Sequence, residues 1–331
     1  MRRTNLAAIA LTACGLVAVG ATIPGSSLGA APAGPATPGS VTVATATTTT
    51  TAAGAASVPG DDIERMGIRV TGRAKTAAVT KVTPITYHNG PVMTAPVNVY
   101  LVWYGNWATN VSTTKQILTD FTTVLGGTPY WNINASYTNA AKVAASSTVT
   151  LQGSTVDAYS LGKTLSDAGV KSVVSSAIAA SKLPADINGI YVVISSSDVK
   201  ESSGFVTKYC GWHTRATIAA TDIKFAFVGD PTTQGLSSCA SQTTTSPNAN
   251  PGADAMVSVL AHELAEAATD PDLNAWYDAA GSENADKCAW TYGTTYKSGN
   301  GATANVKLGA RDYLVQQNWK AGITQGCSLT A

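Results

Sequence analysis

The segment that most constrains this chain is residues 254–290, DAMVSVLAHELAEAATDPDLNAWYDAAGSENADKCAW, in which seven carboxylates follow one imidazole in a protein only 12% charged. His262 is followed by Glu263, Glu266, Asp270, Asp272, Asp278, Glu283 and Asp286. Pro251-Gly252 breaks the chain before this stretch, Pro271 stops a helix inside it, and Asp254 is the expected N-cap. At about 100° per residue, Val257, Leu260, Leu264 and Ala268 form one apolar stripe. His262, Glu266 and Asp270 climb the opposite face at four-residue spacing, with Glu263 on the same side.

The pattern His-Glu-x-x-Glu carries a chemical expectation. In His-Glu-x-x-His helices, two residues four apart reach one zinc ion, and the Glu beside the first activates the metal-bound water. By that logic His262 and Glu266 are metal ligands, Glu263 is the catalytic base, and the third ligand is Asp270, Asp272 or Asp278. A carboxylate in place of the second His also suits harder ions. Asp270, Asp272, Asp278, Glu283 and Asp286 together make calcium the alternative, although no D-x-[DN]-x-[DN]-G loop is present. The competing reading is a helix with a solvated acidic face and one half-exposed His.

The remaining composition narrows the class. Net charge is +1, and Lys and Arg are scattered without a basic run, so nucleic acid is not an expected partner. Residues 1–30 read as a signal peptide: Arg2 and Arg3 precede an apolar stretch from Leu6 to Ala21, with cleavage after Ala21 or Ala30. A lipoprotein anchored at Cys14 is the rival reading. No other segment is long and apolar enough to span a membrane, so the mature protein is expected to have no span. Residues 31–84 form an Ala/Thr/Pro/Gly-rich linker and lead-in, expected to be disordered, and residues 85–331 one globular domain.

Four cysteines lie in that domain. An even count in an exported chain favours disulfides. Of the three pairings, Cys210–Cys239 and Cys288–Cys327 are favoured because neighbouring pairs close separate loops. Cys210-Gly-Trp-His213 resembles half a metal site, but without a second half it reads as a disulfide beside a structural His.

Taken in order, residues 96–104 form a two-sided strand, 112–125 a helix ended by Gly126-Gly127, and 149–151 a short strand. Residues 163–181 read as helix, 189–194 as a second clear strand, 197–222 as irregular, and 223–228 as a half-exposed strand. Residues 313–315 are the expected last strand. The whole is mixed α/β, a twisted sheet with flanking helices. Its order resembles the zincin arrangement of a sheet ahead of a metal-carrying helix.

Three separated blocks resemble the exordium, or phosphate-induced protein, family. His88-Asn89-Gly90-Pro91-Val92-Met93, Val97-Asn98-Val99-Tyr100 and Trp103-Tyr104-Gly105-Asn106-Trp107 match its opening block. Cys210-Gly211-Trp212-His213 and Lys224-Phe225-Ala226-Phe227-Val228-Gly229 match its middle block, and Thr269-Asp270-Pro271 with Asn274-Ala275-Trp276-Tyr277 a later one. The likeness is greatest to a microbial, secreted branch that keeps His-Glu-x-x-Glu. It implies a secreted protein related to extracellular control of growth.

Two functional expectations follow. The first is a secreted zinc hydrolase of peptidase type acting on an extracellular peptide. The alternative is a non-enzymatic, cell-wall-associated binding protein with at most a structural metal, using Trp103, Tyr104, Trp107, Tyr130 and Trp131 to stack glycans if they are not core. Asn110-Val111-Ser112 and Asn134-Ala135-Ser136 are glycosylation sequons.

Overall fold

The computed structural model describes residues 83–107 and 112–331, together with the backbone of Glu64–Arg65. The signal-peptide region, the linker up to residue 82 apart from 64–65, and the Asn110 sequon lie outside the described residues. Six strands form the main sheet: β1 (Glu64–Arg65), β2 (Val97–Tyr104), β3 (Val149–Asp157), β4 (Gly189–Ser195), β5 (Gly211–Ile218) and β6 (Thr221–Gly229). Their spatial order is β1-β5-β6-β4-β2-β3.

β2 and β4 read as near-continuous apolar runs, VNVYLVWY and GIYVVIS, because they are interior parallel strands with helices over both faces. β2 pairs in parallel with β3 and β4, and β4 in parallel with β6. β5 then runs antiparallel to β6, and β1 antiparallel to β5, with Glu64 opposite His213.

Three helices cover the sheet: α1 (Ser112–Val124), α2 (Asp167–Ala179) and α3 (Pro251–Thr269). α1 connects β2 to β3 and α2 connects β3 to β4, as crossovers between parallel strands do, whereas the chain passes from β4 to its parallel neighbour β6 through β5. α3 lies against β5 and β6 and beside α1, whereas α2 packs on β4, β2 and β6. Val102 lines a groove with Val173 and Ala177 of α2. Pairing register puts Leu101, Val192, Ala226 and His213 on the other face, towards α3.

α3 starts earlier than expected. Asn250, not Asp254, is the N-cap: its side chain accepts the Ala253 N–H, and Pro251 takes the first helical position, where its missing N–H costs nothing. Asp254 instead accepts hydrogen bonds from Asn248 at 2.9 and 2.6 Å. Every residue from Gly252 to Thr269 is buried, so the acidic face is not solvated.

Other expectations need correcting. The segment read as irregular contains β5, whose sequence GWHTRATI hides a strand under polar side chains. β6 is longer than expected and mostly buried, not half-exposed. β3 runs on to Asp157, and helix α2 begins only at Asp167, capped by Ser166. The chain closes with small antiparallel pairs, 306–308 with 311–313 and 318–320 with 326–328, so residues 313–315 are not the last strand.

The aromatic residues offered as a glycan surface are core. Trp103, Tyr104, Trp107, Tyr130 and Trp131 are at most 7% exposed. Asn134 is fully buried and accepts a hydrogen bond from Asn284 at 3.2 Å, so its sequon is sealed inside the fold. Among the described residues, no helix is long and apolar enough to cross a membrane.

Both disulfides form as the sequence predicts. Cys210–Cys239 ties the start of β5 to the short helical turn ahead of α3, and Cys288–Cys327 ties the loop after α3 to the C-terminal strand pair.

Candidate metal centre

Three segments converge where α3 crosses β5. α3 contributes His262, Glu263 and Glu266. β5 contributes His213. The loop after α3 contributes Glu283 and Asp286. His213, His262, Glu263 and Glu266 have no exposed surface, and Glu283 is 1% exposed. Asp286 is the most open member, its side chain 12% exposed.

The approach of α3 to β5 depends on Gly211. A Cβ there would lie 2.4 Å from Val259 Cγ1, 2.8 Å from the Phe227 carbonyl oxygen and 2.9 Å from Glu263 Oε1. Real Cβ atoms do not approach that closely, so only glycine lets helix and strand meet at this point. Two residues on, His213 points at the helix.

Distances within the cluster are short. His262 Nε2 lies 3.0 Å from Glu266 Oε1 and 3.5 Å from Asp286 Oδ1. His213 Nε2 lies 3.0 Å from Glu283 Oε2 and 3.7 Å from Glu266 Oε2. The backbone N–H of Asp286 donates to Glu266 Oε1 at 2.9 Å, locking loop to helix. His213 Nε2 and Glu283 Oε2 share a hydrogen bond, and His262 Nε2 is within ion-pair distance of Glu266, but other polar atoms of the cluster lack a hydrogen bond. His213 Nδ1, both ring nitrogens of His262, both oxygens of Glu263 and Glu266 Oε2 are buried without a hydrogen bond.

Electrostatics follow from this crowding. Burial, reinforced by repulsion from His262, lowers the His213 pKa to about 3. Burial also opposes charging of His262, but Glu266, Asp286 and Glu263 prevail and hold it well above the ordinary imidazole range. Burial pushes Glu263 well above the usual carboxylate range, partly offset by His262. Burial and the Asp286 charge bring Glu266 up to about 7.

The three acids expected to supply a third ligand have other partners. Asp270 caps the end of α3, accepting the N–H groups of Asn274, Ala275 and Trp276 at 2.7, 2.6 and 3.3 Å. Asp272 faces Lys224 at 3.6 Å and Arg215 at 3.7 Å. Asp278 accepts Lys287 Nζ at 2.7 Å and two backbone N–H groups, folding the loop that carries Glu283 and Asp286 back to the helix. Asp270 and Asp278 thus shape the loop that closes the cluster.

Among the described residues, potential ligand atoms form two triads, each with its atoms within 4.8 Å of one another: His262, Glu266 and Asp286, and His213, Glu263 and Glu266. Neither includes Asp270, Asp272 or Asp278, and the five acids weighed for calcium do not share one pocket. His213 was the residue that pattern reading set aside as structural. Its one signal in the sequence was the half metal motif Cys210-Gly-Trp-His213.

The whole cluster falls inside a recognisable conserved region. The model of the phosphate-induced protein 1 conserved region matches residues 85–321. The chain belongs to the phosphate-induced protein 1 family. Among the family's members, "Protein EXORDIUM-like 3" of Arabidopsis thaliana is 31% identical over 273 residues, covering 71% of this chain and 80% of the relative. "Protein EXORDIUM-like 5" of the same plant is 29% identical over 298 residues, covering 79% and 82%. "Protein PHOSPHATE-INDUCED 1" of Nicotiana tabacum is 31% identical over 238 residues, covering 63% and 72%. No solved structure matches the chain. For this family member, then, the chemistry has to be argued from the cluster itself.

Proposed function

We propose that this protein is a secreted, metal-dependent hydrolase of peptidase type, with zinc held by His262, Glu266 and Asp286 and with Glu263 as the base. The observation that carries the reading is the set of fully buried polar atoms on His262, Glu263 and Glu266 that lack a hydrogen bond. Buried polar groups are normally hydrogen-bonded, and buried charges are paired or bind metals. A cation at Glu266 gives these atoms the partner they lack. Two imidazoles among carboxylates favour zinc over calcium, which prefers an all-oxygen shell.

Bound zinc supplies a Lewis acid that lowers the pKa of a coordinated water to about 7. The chain's residues do the rest. The Asp286 N–H bond to Glu266 fixes the ligand carboxylate. Glu263, one residue from His262 and unpaired at both oxygens, is placed to accept a proton. Asp286 marks the side from which water and substrate approach, being the most exposed member. Two disulfides, and a first apolar segment read as an export signal, support secretion.

Elemental analysis and a peptide-library screen of the parent and Glu263→Gln test this. The expected result is hydrolysis by the parent, and a Gln variant that still holds zinc at the His262 triad but does not hydrolyse. Equal hydrolysis by both would overturn the mechanism.

One observation favours a second reading, a structural metal in a non-enzymatic extracellular protein. The ligands other than Asp286 are almost completely buried, and structural zinc sites are closed whereas catalytic ones keep an open position. Bound zinc that raises the melting temperature, with no hydrolysis of any peptide in the library, would select it.

A further inference from the structure

Glu266 turns its two oxygens towards two different imidazoles. Oε1 is 3.0 Å from His262 Nε2, and Oε2 is 3.7 Å from His213 Nε2. With metal–ligand lengths of about 2.0–2.1 Å, two ligand atoms on one tetrahedral zinc are about 3.3 Å apart. The observed distances bracket that value on both sides of the carboxylate. Each imidazole also has its own acid: Asp286 Oδ1 at 3.5 Å from His262, and Glu283 Oε2 at 3.0 Å from His213. The two ligand triads share Glu266 and nothing else.

Four carboxylates, Glu263, Glu266, Glu283 and Asp286, surround the two imidazoles in this buried cluster. Paired ions about 3.5–4 Å apart, bridged by shared ligands, are a recurring solution in hydrolytic sites.

We infer that the cluster takes two divalent cations bridged by Glu266, one held with His262 and Asp286, the other with His213 and Glu263. The inference rests on the metal reading above and extends it to a second ion. It gives His213 a ligand's role. One Glu263 oxygen goes to the second ion, and the other stays available as a proton acceptor.

The test uses the full chain, stripped with chelator, reloaded with zinc chloride and dialysed. Two equivalents of zinc are expected in the parent, one in His213→Ala and one in His262→Ala. Manganese-loaded parent protein gives a readout that does not depend on a variant's folding: an exchange-coupled electron paramagnetic resonance spectrum from the bridged pair. One equivalent in the parent with the six-line signal of an isolated Mn(II) would overturn the second ion and leave the mononuclear reading standing. Zero equivalents would overturn both.

Discussion

Replacing Glu263 by Met separates the two states of the site. Glu263 is fully buried with neither oxygen hydrogen-bonded. Burial holds its pKa well above the usual carboxylate range, which favours the neutral acid, and the cost considered is that of an unpaired polar group rather than an ion. That cost is about 1–3 kcal/mol. Met fills similar space with no polar atom needing a partner, and near-isosteric fillings of a core are well tolerated. A gain of about 2 kcal/mol, at about 2–4 °C per kcal/mol for a domain of this size, raises the melting temperature in chelator by about 4–8 °C. Zinc at a hundred times its dissociation constant adds about 2.7 kcal/mol to the parent, or about 5–11 °C. The variant should gain less, because an oxygen ligand is gone. Differential scanning calorimetry of both proteins, with chelator and with zinc, reads all four values. A Glu263→Met protein that melts below its parent in chelator would refute the argument, because it would mean the carboxyl group is already satisfied in the metal-free fold.

Three further outcomes follow. Gly211→Ala inserts a methyl 2.4 Å from Val259 and 2.9 Å from Glu263, so it should push α3 off β5, cost at least ~2 kcal/mol in urea denaturation and weaken zinc binding; an unchanged midpoint and zinc content would contradict the close approach. The double variant Cys288→Ser with Cys327→Ser should lose about 2–5 kcal/mol and bind zinc more weakly by titration calorimetry, since Asp286 then sits on an untied loop; full affinity would show that the bridge does not position Asp286. Burial raises the Asp198 pKa, but hydrogen bonds from Lys163, Tyr159 and Ser196 prevail and hold it at about 2. A depressed carboxylate pKa contributes stability above its unfolded value of about 3.9 that is lost as pH falls through about 2. With the Asp198 side chain 38% exposed, the contribution is discounted to about 0.5 kcal/mol, and Asp198→Asn should flatten the stability profile between about pH 4 and 2; a profile that keeps the parent's slope would refute the assignment.

Much of the scaffold was legible because its signals are local. β2 and β4 are apolar runs too continuous for anything but interior strands, and the two disulfides followed from an even cysteine count with neighbouring pairs closing separate loops. The helix with His262 was legible from its period. The surroundings of that helix were not. A solvated acidic face stayed open as the alternative because nothing local reveals that β5 and the 278–290 loop cover it. β5 itself was missed because His213, Thr214 and Arg215 break its apolar pattern, and His213 is polar because it faces the cluster. Glu283 and Asp286 were counted only as acid density, since the approach of Glu283 to His213 and of Asp286 to Glu266 depends on a turn nucleated by the Asp270 carboxylate and a loop pinned by Asp278 and Lys287. Asp270, Asp272 and Asp278 stood out by nearness in sequence, but Asp270 and Asp278 are taken up by backbone N–H groups and Lys287, and Asp272 faces Lys224 and Arg215 instead of the cluster.

The placement of the two disulfides has a consequence for metal supply. Cys210 lies three residues before His213, and Cys288 two residues after Asp286, so each bridge anchors a segment that α3 cannot supply. On the metal reading proposed above, a chain whose thiols are still reduced would carry Asp286 on an untied loop while His213 stays paired in the sheet, and it would hold its metal most tightly once the thiols are oxidised. The intrinsic preference of such N/O sites follows the order in which copper exceeds zinc and zinc exceeds manganese. On that reading the ion bound would depend on the medium that surrounds the chain as it is oxidised, so the timing of oxidation would select the metal.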